Sequence, residues 1–422
     1  MLDRVFLSGG GDSVDAGPHW IGLLGGDTTQ SKAGSSVATD SSGNIYLAGM
    51  AGGDLNFQIA KYNSSGTLQW QRRLYSGSIA YAKSIAVDSS ANVYICGYTE
   101  TNTIQIAKYD SSGTSQWQRA LFGTNAQGYG ISVNSAGDVF ALGKSTVSSV
   151  VSMVFARYNS SGTIQWQRRA YSSAGTAAVG LSTAVSGTSS VYFCGRFFDG
   201  ATNCIHLIKT NLTGAIQWQA GLASTDNLDG YSVAVDSAGS VYVCTRSSIF
   251  IIVAKYNSSG TLQWQRSLAA SSTPGAYSIS TDAGNNVYIC GNVNNGSNND
   301  IFIVKYDSSG TIMWQRKLYA SGNDYGYSVC VAPSGAIVIA GQSYNSTNQA
   351  MLLAKLPSDG SKTGTYTVGG YTFTYDTLSL TESAASLSAS GYSLSSASPG
   401  LTEAATTKTD SATTLTSSVT TL

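Results

Sequence analysis

The chain has 422 residues, of which 11% are charged, and its 23 basic and 23 acidic residues cancel to a formal net charge of zero. A nucleic-acid binder needs a basic surface that displaces counterions from phosphates, so no nucleic-acid partner is expected. The longest apolar run, 249–254, falls far short of the roughly 20 residues that cross a bilayer, so no membrane span is expected either.

The N-terminal stretch MLDRVFLSGGGDS has only VFL as an apolar run, too short for the core of a secretory leader, and classical secretion is not expected. HWIGLLGGD follows, with Trp20, and from residue 32 the chain repeats itself. AKYNSSGTLQWQR at 60–72 returns as AKYDSSGTSQWQR at 107–119 and unchanged at 254–266. With Trp as the marker, Trp70, Trp117, Trp166, Trp218, Trp264 and Trp314 are separated by 47, 49, 52, 46 and 50 residues.

Each repeat holds four short runs of alternating or β-branched and aromatic residues bounded by Gly, Ser, Asn and Asp, which predicts four strands. In the second repeat they are KSIAVD, NVYICGY, IQIAKYD and TSQWQRAL. The DSSG and NSSG links predict tight turns: the Asp or Asn side chain bonds the backbone two residues on, and Gly takes the positive φ. Four antiparallel strands recurring every ~40 to 50 residues predict an all-β, seven-bladed β-propeller. The blades are placed at 32–74, 79–121, 126–170, 175–222, 227–268, 273–318 and 323–368.

The seventh repeat runs from LLAKLPSDG into SKTGTYTV, with Gly364 where Trp is due, while Trp20 stands 50 residues before Trp70 and in register with the others. The segment 1–31 is therefore expected to supply a strand at 18–25 that completes the blade formed by 323–358 and closes the ring. Beyond 368 the composition shifts to Ser, Thr and Ala, and 369–422 reads as a C-terminal arm. Its YTFTYDTLSL is expected to be one strand on the seventh blade. The remainder reads as either a flexible tail or an extended arm ordered by a partner, a homo-oligomer through the arm included.

The strand slot Ala48, Cys96, Leu142, Cys194, Cys244, Cys290 and Ala340 exchanges Cys for small hydrophobes, which fits buried thiols rather than disulfides. Cys204 and Cys330 lie outside it. Only His19 and His206 are histidines, so a catalytic base or multi-His metal site is not expected, and both read as structural. The DSSGN turns carry at most one carboxylate each, which suits turn chemistry better than calcium. The NSS and NLT triplets at Asn63, Asn159, Asn257 and Asn211 read as turns too. No metal or cofactor is expected.

Two slots of the repeat coincide. Asp40, Asp88, Asn134, Asp236 and Asp282 open the first turn in the repeats that carry Arg72, Arg119, Arg168, Arg266 and Arg316 two residues after Trp; repeats four and seven lack both. An unpaired guanidinium on the Trp side of the strand is costly, so a recurring Asp–Arg contact is expected.

The pattern D-x-x-G-N-x-Y-x-x-G followed by x-A-K-Y-[ND]-S-S-G-x-x-x-W, at 40–49 and 59–70, resembles the bacterial SBBP β-propeller repeat. The spacing of Ala60, Gly66 and Trp70 is also similar to the tryptophan docking motif of quinoprotein propellers. That resemblance implies that Trp20, Trp70, Trp117, Trp166, Trp218, Trp264 and Trp314 dock one blade on the next. It implies no quinone, because the adjacent cysteine pair of those enzymes is absent here. The Ser/Thr/Ala-rich ending behind such blades resembles structural proteins of marine bacteriophages.

Together these readings predict a non-enzymatic structural or interaction module on a virion, contacting other virion proteins or a host-surface glycan or protein. The loops 144–152, 196–204 and 291–300 vary most between repeats and are the binding candidates. A bacterial extracellular or cell-surface adhesin is the alternative location and role. A glycan-active enzyme is the second alternative; it would need converging carboxylates along first strands that read SSVATD, SIAVD, GISVN, YSVAVD and YSISTD.

Overall fold

A computed structural model describes residues 3–6, 18–24, 33–51, 56–75, 79–171, 177–198, 200–201, 203–223, 228–247, 250–269, 274–345, 348–385, 388–390, 395–397, 402–405 and 409–411. Among them every regular element is a β-strand. The repeats form four-stranded antiparallel meanders. Sheet 1 comprises Ala33–Thr39, Ile45–Ala51, Asn56–Tyr62 and Leu68–Tyr75, and sheet 2 Ala80–Val87, Val93–Thr99, Thr103–Tyr109 and Ser115–Phe122. Sheet 3 comprises Thr124–Val133, Val139–Val147, Val150–Tyr158 and Ile164–Tyr171, and sheet 4 Ala178–Ser186, Ser190–Phe198, Asn203–Asn211 and Ile216–Ala223. Sheet 5 comprises Asp229–Val235, Val241–Arg246, Phe250–Tyr256 and Leu262–Ala269, and sheet 6 Gly275–Thr281, Val287–Asn294, Asn299–Tyr306 and Ile312–Tyr319.

Sheet 7 takes three strands from its own repeat, Asp324–Val331, Ile337–Tyr344 and Gln349–Leu356, and its fourth from the N-terminus. Trp20–Leu24 pairs antiparallel with Gln349–Leu356, Trp20 opposite Lys355 and Leu24 opposite Met351. Asp3–Phe6 pairs on the other side of that strand. Gly364–Val368, which the period assigns to the seventh blade, instead forms a hairpin with Tyr371–Thr377, and the latter pairs with Ile312–Tyr319. The strand within YTFTYDTLSL thus lies on sheet 6 and not on the seventh. The edge it would have used is already held by Trp20–Leu24.

The chain divides into two compact bodies. One is Met1–Ala82, Leu268–Glu382 and Thr409–Leu422, the other Lys83–Ser267 and Ser383–Lys408. In the first, sheets 6, 7 and 1 follow one another, with apolar cores of Ile301, Ile303, Ile339 and Leu352 between 6 and 7, and of Trp20, Leu47, Val338 and Leu353 between 7 and 1. In the second, Cys96, Ile106, Ala141 and Tyr158 fill the space between sheets 2 and 3, and Cys194, Leu207, Val243 and Ile252 that between 4 and 5. The second strand of sheet 7 is buried on both faces, because Ile337 and Ile339 meet sheet 6 while Val338 and Ala340 meet sheet 1. The six cysteines carry no disulfide, and all but Cys330 are buried.

The first strand of each sheet leaves an edge of backbone amides, and an unpaired edge invites aggregation. In sheets 3, 5, 7 and 1 a serine of the preceding sheet accepts one of these amides. Ser84 Oγ accepts the Ile131 N–H at 3.2 Å, Ser182 that of Val233 at 3.2 Å, Ser278 that of Val329 at 3.1 Å, and Ser328 that of Val37 at 3.1 Å.

Candidate functional site

The Trp slot is a docking device. Trp117 Nε1–H donates to the Ser160 carbonyl at 3.1 Å, Trp166 to Leu212 at 2.8 Å, Trp218 to Ser258 at 3.0 Å and Trp314 to Ser358 at 3.1 Å. Each acceptor lies in the turn that follows the third strand of the next sheet. The same carbonyl takes a second bond from the base at the Lys slot: Lys108 at 3.1 Å, Arg157 at 2.8 Å, Lys209 at 2.9 Å and Lys305 at 3.2 Å. Trp20 and Lys355 reach the Ser64 carbonyl in the same way, at 3.5 and 3.2 Å, which links sheet 7 to sheet 1. The turn glycine is needed for the indole to approach. Gly162 sits at φ +77°, and a Cβ there would come within 2.7 Å of the Trp117 ring. Trp70 and Trp264 stand in the same slot, each beside a tyrosine of its own sheet, Tyr46 at 6.2 Å and Tyr242 at 6.0 Å between ring centres.

The expected Asp–Arg contact is not made. Asp40 Oδ1 accepts the N–H groups of Ser42 and Asn44 at 3.0 and 2.9 Å, while Oδ2 accepts the Asn44 amide at 2.8 Å and the Tyr46 hydroxyl at 2.9 Å. Asp88 holds the equivalent four donors around Asn92 and Tyr94, and Asp282 those around Asn286 and Tyr288. Asp236 takes the Ser240 N–H and the Tyr242 hydroxyl. The arginines lie over their own tryptophans instead: Arg72, Arg119, Arg168, Arg266 and Arg316 stand 5.9, 5.6, 5.7, 5.5 and 5.8 Å from the ring centres. Arg119 and Arg316 also donate to the turn carbonyls of Gly162 and Gly360, each at 2.6 Å. The physical reason is distance across the sheet. The Asp ends the first strand and the Arg sits on the fourth, three spacings of ~4.8 Å away.

The third sheet exchanges the pair. Asn134 donates to Asp138 Oδ2 at 3.0 Å, and Arg157, in the Lys slot, forms an ion pair with the same oxygen at 3.0 Å. Phe140 stands where sheets 1, 2, 5 and 6 place a tyrosine hydroxyl donor. Four residues change together: Asn134 Oδ1 takes the two turn N–H groups, and the Asp138 carboxylate keeps the two side-chain donors.

Antiparallel meanders put the first and third turns of every sheet at one end and the second turn, with the link to the next sheet, at the other. The first end is nearly constant. Asn63, Asn159, Asn211 and Asn257 all cap their turns there by accepting two backbone N–H groups each. A cavity of about 460 Å³ at this end is lined by Thr39, Asp40, Thr281, Asp282, Ala332 and Pro333. Its two carboxylates already hold four donors each, which fills their acceptor capacity. No cluster of three or more His, Cys, Asp or Glu able to hold a metal occurs among the described residues. His206 is fully buried, its Nε2–H donating to Gln219 Oε1 at 2.9 Å, and burial pushes its pKa down to about 4. His19 is buried as well.

The variable loops 144–152 and 291–300 lie at the other end, and 196–204, which is there too, falls partly outside the described residues. In the first body this end carries half-buried tyrosines. Tyr325 and Tyr327 are parallel within 1° at 5.9 Å, and Tyr277 is tilted against Tyr327 at 5.6 Å. A chain of amides runs beside them: Asn292 donates to Asn299 Oδ1 at 2.7 Å, and Asn299 donates to Asn323 Oδ1 at 3.2 Å and to the Tyr325 hydroxyl at 3.0 Å. Asn292 Oδ1 is buried without a hydrogen-bond partner. In the second body the corresponding end holds Tyr98 against Tyr129 at 5.7 Å, with Lys83 5.6 Å from the Tyr98 ring and Arg196 3.4 Å from Asp229. The sequence signal for both is a tyrosine at one slot of the first strand, Tyr129, Tyr231, Tyr277 and Tyr327, a residue type that is neither acid nor histidine.

Next to Asn299 and Asn323 stand two buried acids. Asp324 accepts from the Ser343 hydroxyl and from the Ala320 N–H at 2.6 Å, and Asp300 accepts from Asn295 at 2.9 Å. Burial raises the Asp324 pKa from 3.8 to about 7, with the Asp300 charge adding and the two hydrogen bonds opposing. Between those values the folded chain holds a proton that the unfolded chain releases, so this contribution to stability is full below about pH 4 and is lost as pH rises through about 7. Asp324→Asn is expected to melt at a higher temperature than the parent at pH ~8, the gap narrowing by pH ~5. Parallel melting curves at both pH values would refute that.

Residues 20–56 and 71–102 match the model of the SBBP beta-propeller repeat. The fold is that of β-propellers. The first matched stretch starts at Trp20, so the N-terminal strand counts as part of the repeat. No curated protein sequence matches the chain. Among solved structures, Sqt1 from Chaetomium thermophilum is 12% identical over 83% of this chain and 90% of its own, with a TM-score of 0.51. A polysaccharide lyase, an ulvan lyase bound to a glucuronate–rhamnose sulfate oligosaccharide, is 9% identical over 79% of this chain and 96% of its own, with a TM-score of 0.47. An intramolecular trans-sialidase from Ruminococcus gnavus is also 9% identical, over 79% and 96%, with a TM-score of 0.44. At these identities the likeness is one of fold. It corrects the expectation of a non-enzymatic protein, because solved structures similar to this chain include glycan-active enzymes.

Proposed function

We propose that the chain is a seven-bladed propeller, closed by Trp20–Leu24, that recognises a surface glycan through Tyr277, Tyr325 and Tyr327 at its variable end. The observation that carries this is the division of the sheets into a constant end, whose polar groups satisfy one another, and a variable end, where parallel tyrosine faces lie beside Asn292, Asn299 and Asn323. Aromatic faces stack on the apolar faces of sugars while amides bind hydroxyls. A chain of zero net charge suits a ligand recognised by stacking rather than by charge. Closure is supported by the Ser64 carbonyl, which takes from Trp20 and Lys355 the same two bonds that join sheets 2 to 3 and 6 to 7.

The setting proposed is a phage virion, the propeller facing a host surface or neighbouring subunits, with a bacterial surface adhesin as the other setting. Tyr325→Ala with Tyr327→Ala is expected to lower retention on a glycan array at least tenfold while the melting temperature changes little, since both rings are half-exposed. Equal retention of the double variant would sink the glycan reading. Immunogold labelling of purified particles separates the two settings, and particles without label would dismiss the virion.

A further inference from the structure

From residue 374 the sequence can be written in sevens: TYDTLSL, TESAASL, SASGYSL, SSASPGL, TEAATTK, TDSATTL, TSSVTTL, with Leu closing all but one. The structure gives this period a meaning. Thr374 pairs opposite Tyr319, Ser388 opposite Ala223, Ser395 opposite Tyr171, Thr402 opposite Phe122 and Thr409 opposite Tyr75. Each partner stands five residues after its tryptophan, on the outer strand of sheets 6, 4, 3, 2 and 1 in turn. Successive heptads thus add a strand to successive outer edges in one unchanging register, running backwards through the repeats.

The edges they meet are nearly the same sequence: LQWQRRLY, SQWQRALF, IQWQRRAY, IQWQAGLA and IMWQRKLY. Strand addition draws its affinity from backbone hydrogen bonds, and side-chain pockets supply what selectivity there is. Here neither partner varies enough to select. A slip of seven residues returns every strand to an equivalent edge, whereas a slip of one reverses the faces of the strand. The outer strand of sheet 7 is held by Asp3–Phe6 rather than by a heptad, yet TSSVTTL at 416–422 repeats the heptad once more beyond the strand on sheet 1.

We infer that the outer edge of sheets 1, 2, 3, 4 and 6 is a docking site for this heptad, and that the partner it fits is a second copy of this chain, whose heptads exchange into equivalent edges and link the copies. The inference is independent of the glycan reading. Register supplies the test, because Ser396 lies opposite Ala170 and Ala389 opposite Leu222. In the full-length chain, Ala170→Cys with Ser396→Cys is expected to close a disulfide within one molecule under mild oxidation. Mixing chains that carry one substitution each is expected to give a covalent dimer whose yield rises with concentration. A chain with Ser396→Cys is expected to dimerise with a Leu222→Cys chain as well, one heptad out of step. Mixtures that stay monomeric while the double variant closes internally would overturn the exchange. If neither Ala170→Cys with Ser396→Cys nor Leu222→Cys with Ala389→Cys closes within one chain, the register itself is wrong.

Discussion

Trp20→Ala is expected to cost about 3–5 kcal/mol of stability, the range for removing a large buried aromatic side chain. The residue is fully buried, packs with Leu47, Val338 and Leu353, and directs its indole N–H at the Ser64 carbonyl at 3.5 Å. It lies on the N-terminal strand that pairs directly with Gln349–Leu356, so the loss falls on a pairing made at long sequence separation. Trp20→Phe keeps most of the apolar burial and gives up one long hydrogen bond, so about 1 kcal/mol is expected for it. Urea denaturation followed by tyrosine and tryptophan fluorescence measures both. Met313→Ala is the control, since that side chain is 54% exposed and should leave the midpoint unmoved. A Trp20→Ala midpoint indistinguishable from that control would show that the N-terminal strand does not hold sheet 7 together.

The second large effect concerns the exchanged turn of sheet 3. Asn134→Asp would set a second carboxylate against Asp138, at a place where Asn134 is 3% exposed and its amide now donates to Asp138 Oδ2. One carboxylate would have to take up a proton or stay unsatisfied, for about 3 kcal/mol of destabilisation near neutral pH that shrinks in acid. Asn134→Asp with Asp138→Asn restores the arrangement of Asp40 with Asn44 and is expected to recover more than half of the loss. Recovery stays incomplete because Arg157 loses its carboxylate, though it keeps the Leu212 carbonyl at 2.8 Å. A double-mutant cycle in urea measures the coupling. A double variant no more stable than Asn134→Asp alone would show that the two positions do not act as an exchanged pair.

How far the chain could be read before folding depends on whether the cause of a feature is local. The four strands per repeat were legible because their turns are determined within four or five residues: Asn159 accepts the N–H groups of Ser161 and Thr163, and Gly162 supplies φ +77°. The Trp slot was legible from its spacing. Its acceptor was not, since the Ser160 carbonyl that meets Trp117 belongs to the following sheet. The coincidence of Asp and Arg slots misled because two structural roles, a turn clasp at the first strand and a cover for Trp at the fourth, recur in the same repeats without touching. Tyr277, Tyr325 and Tyr327 were visible as residues and invisible as a group, for their two strands come together only when sheets 6 and 7 pack.

The sequence by itself determined the all-β class, the period, the chemistry of the turns, and the shift into a Ser/Thr/Ala-rich ending, because each follows from composition or from bonds a few residues long. It also held the heptads of 374–422, whose period is far shorter than that of a blade. Only the tertiary structure decided which edge each strand joins: Trp20–Leu24 on sheet 7, Tyr371–Thr377 on sheet 6, and the tail strands on the outer edges of sheets 4, 3, 2 and 1. Backbone donors and acceptors are alike in every strand. The choice among edges therefore rests on which of them the fold leaves open.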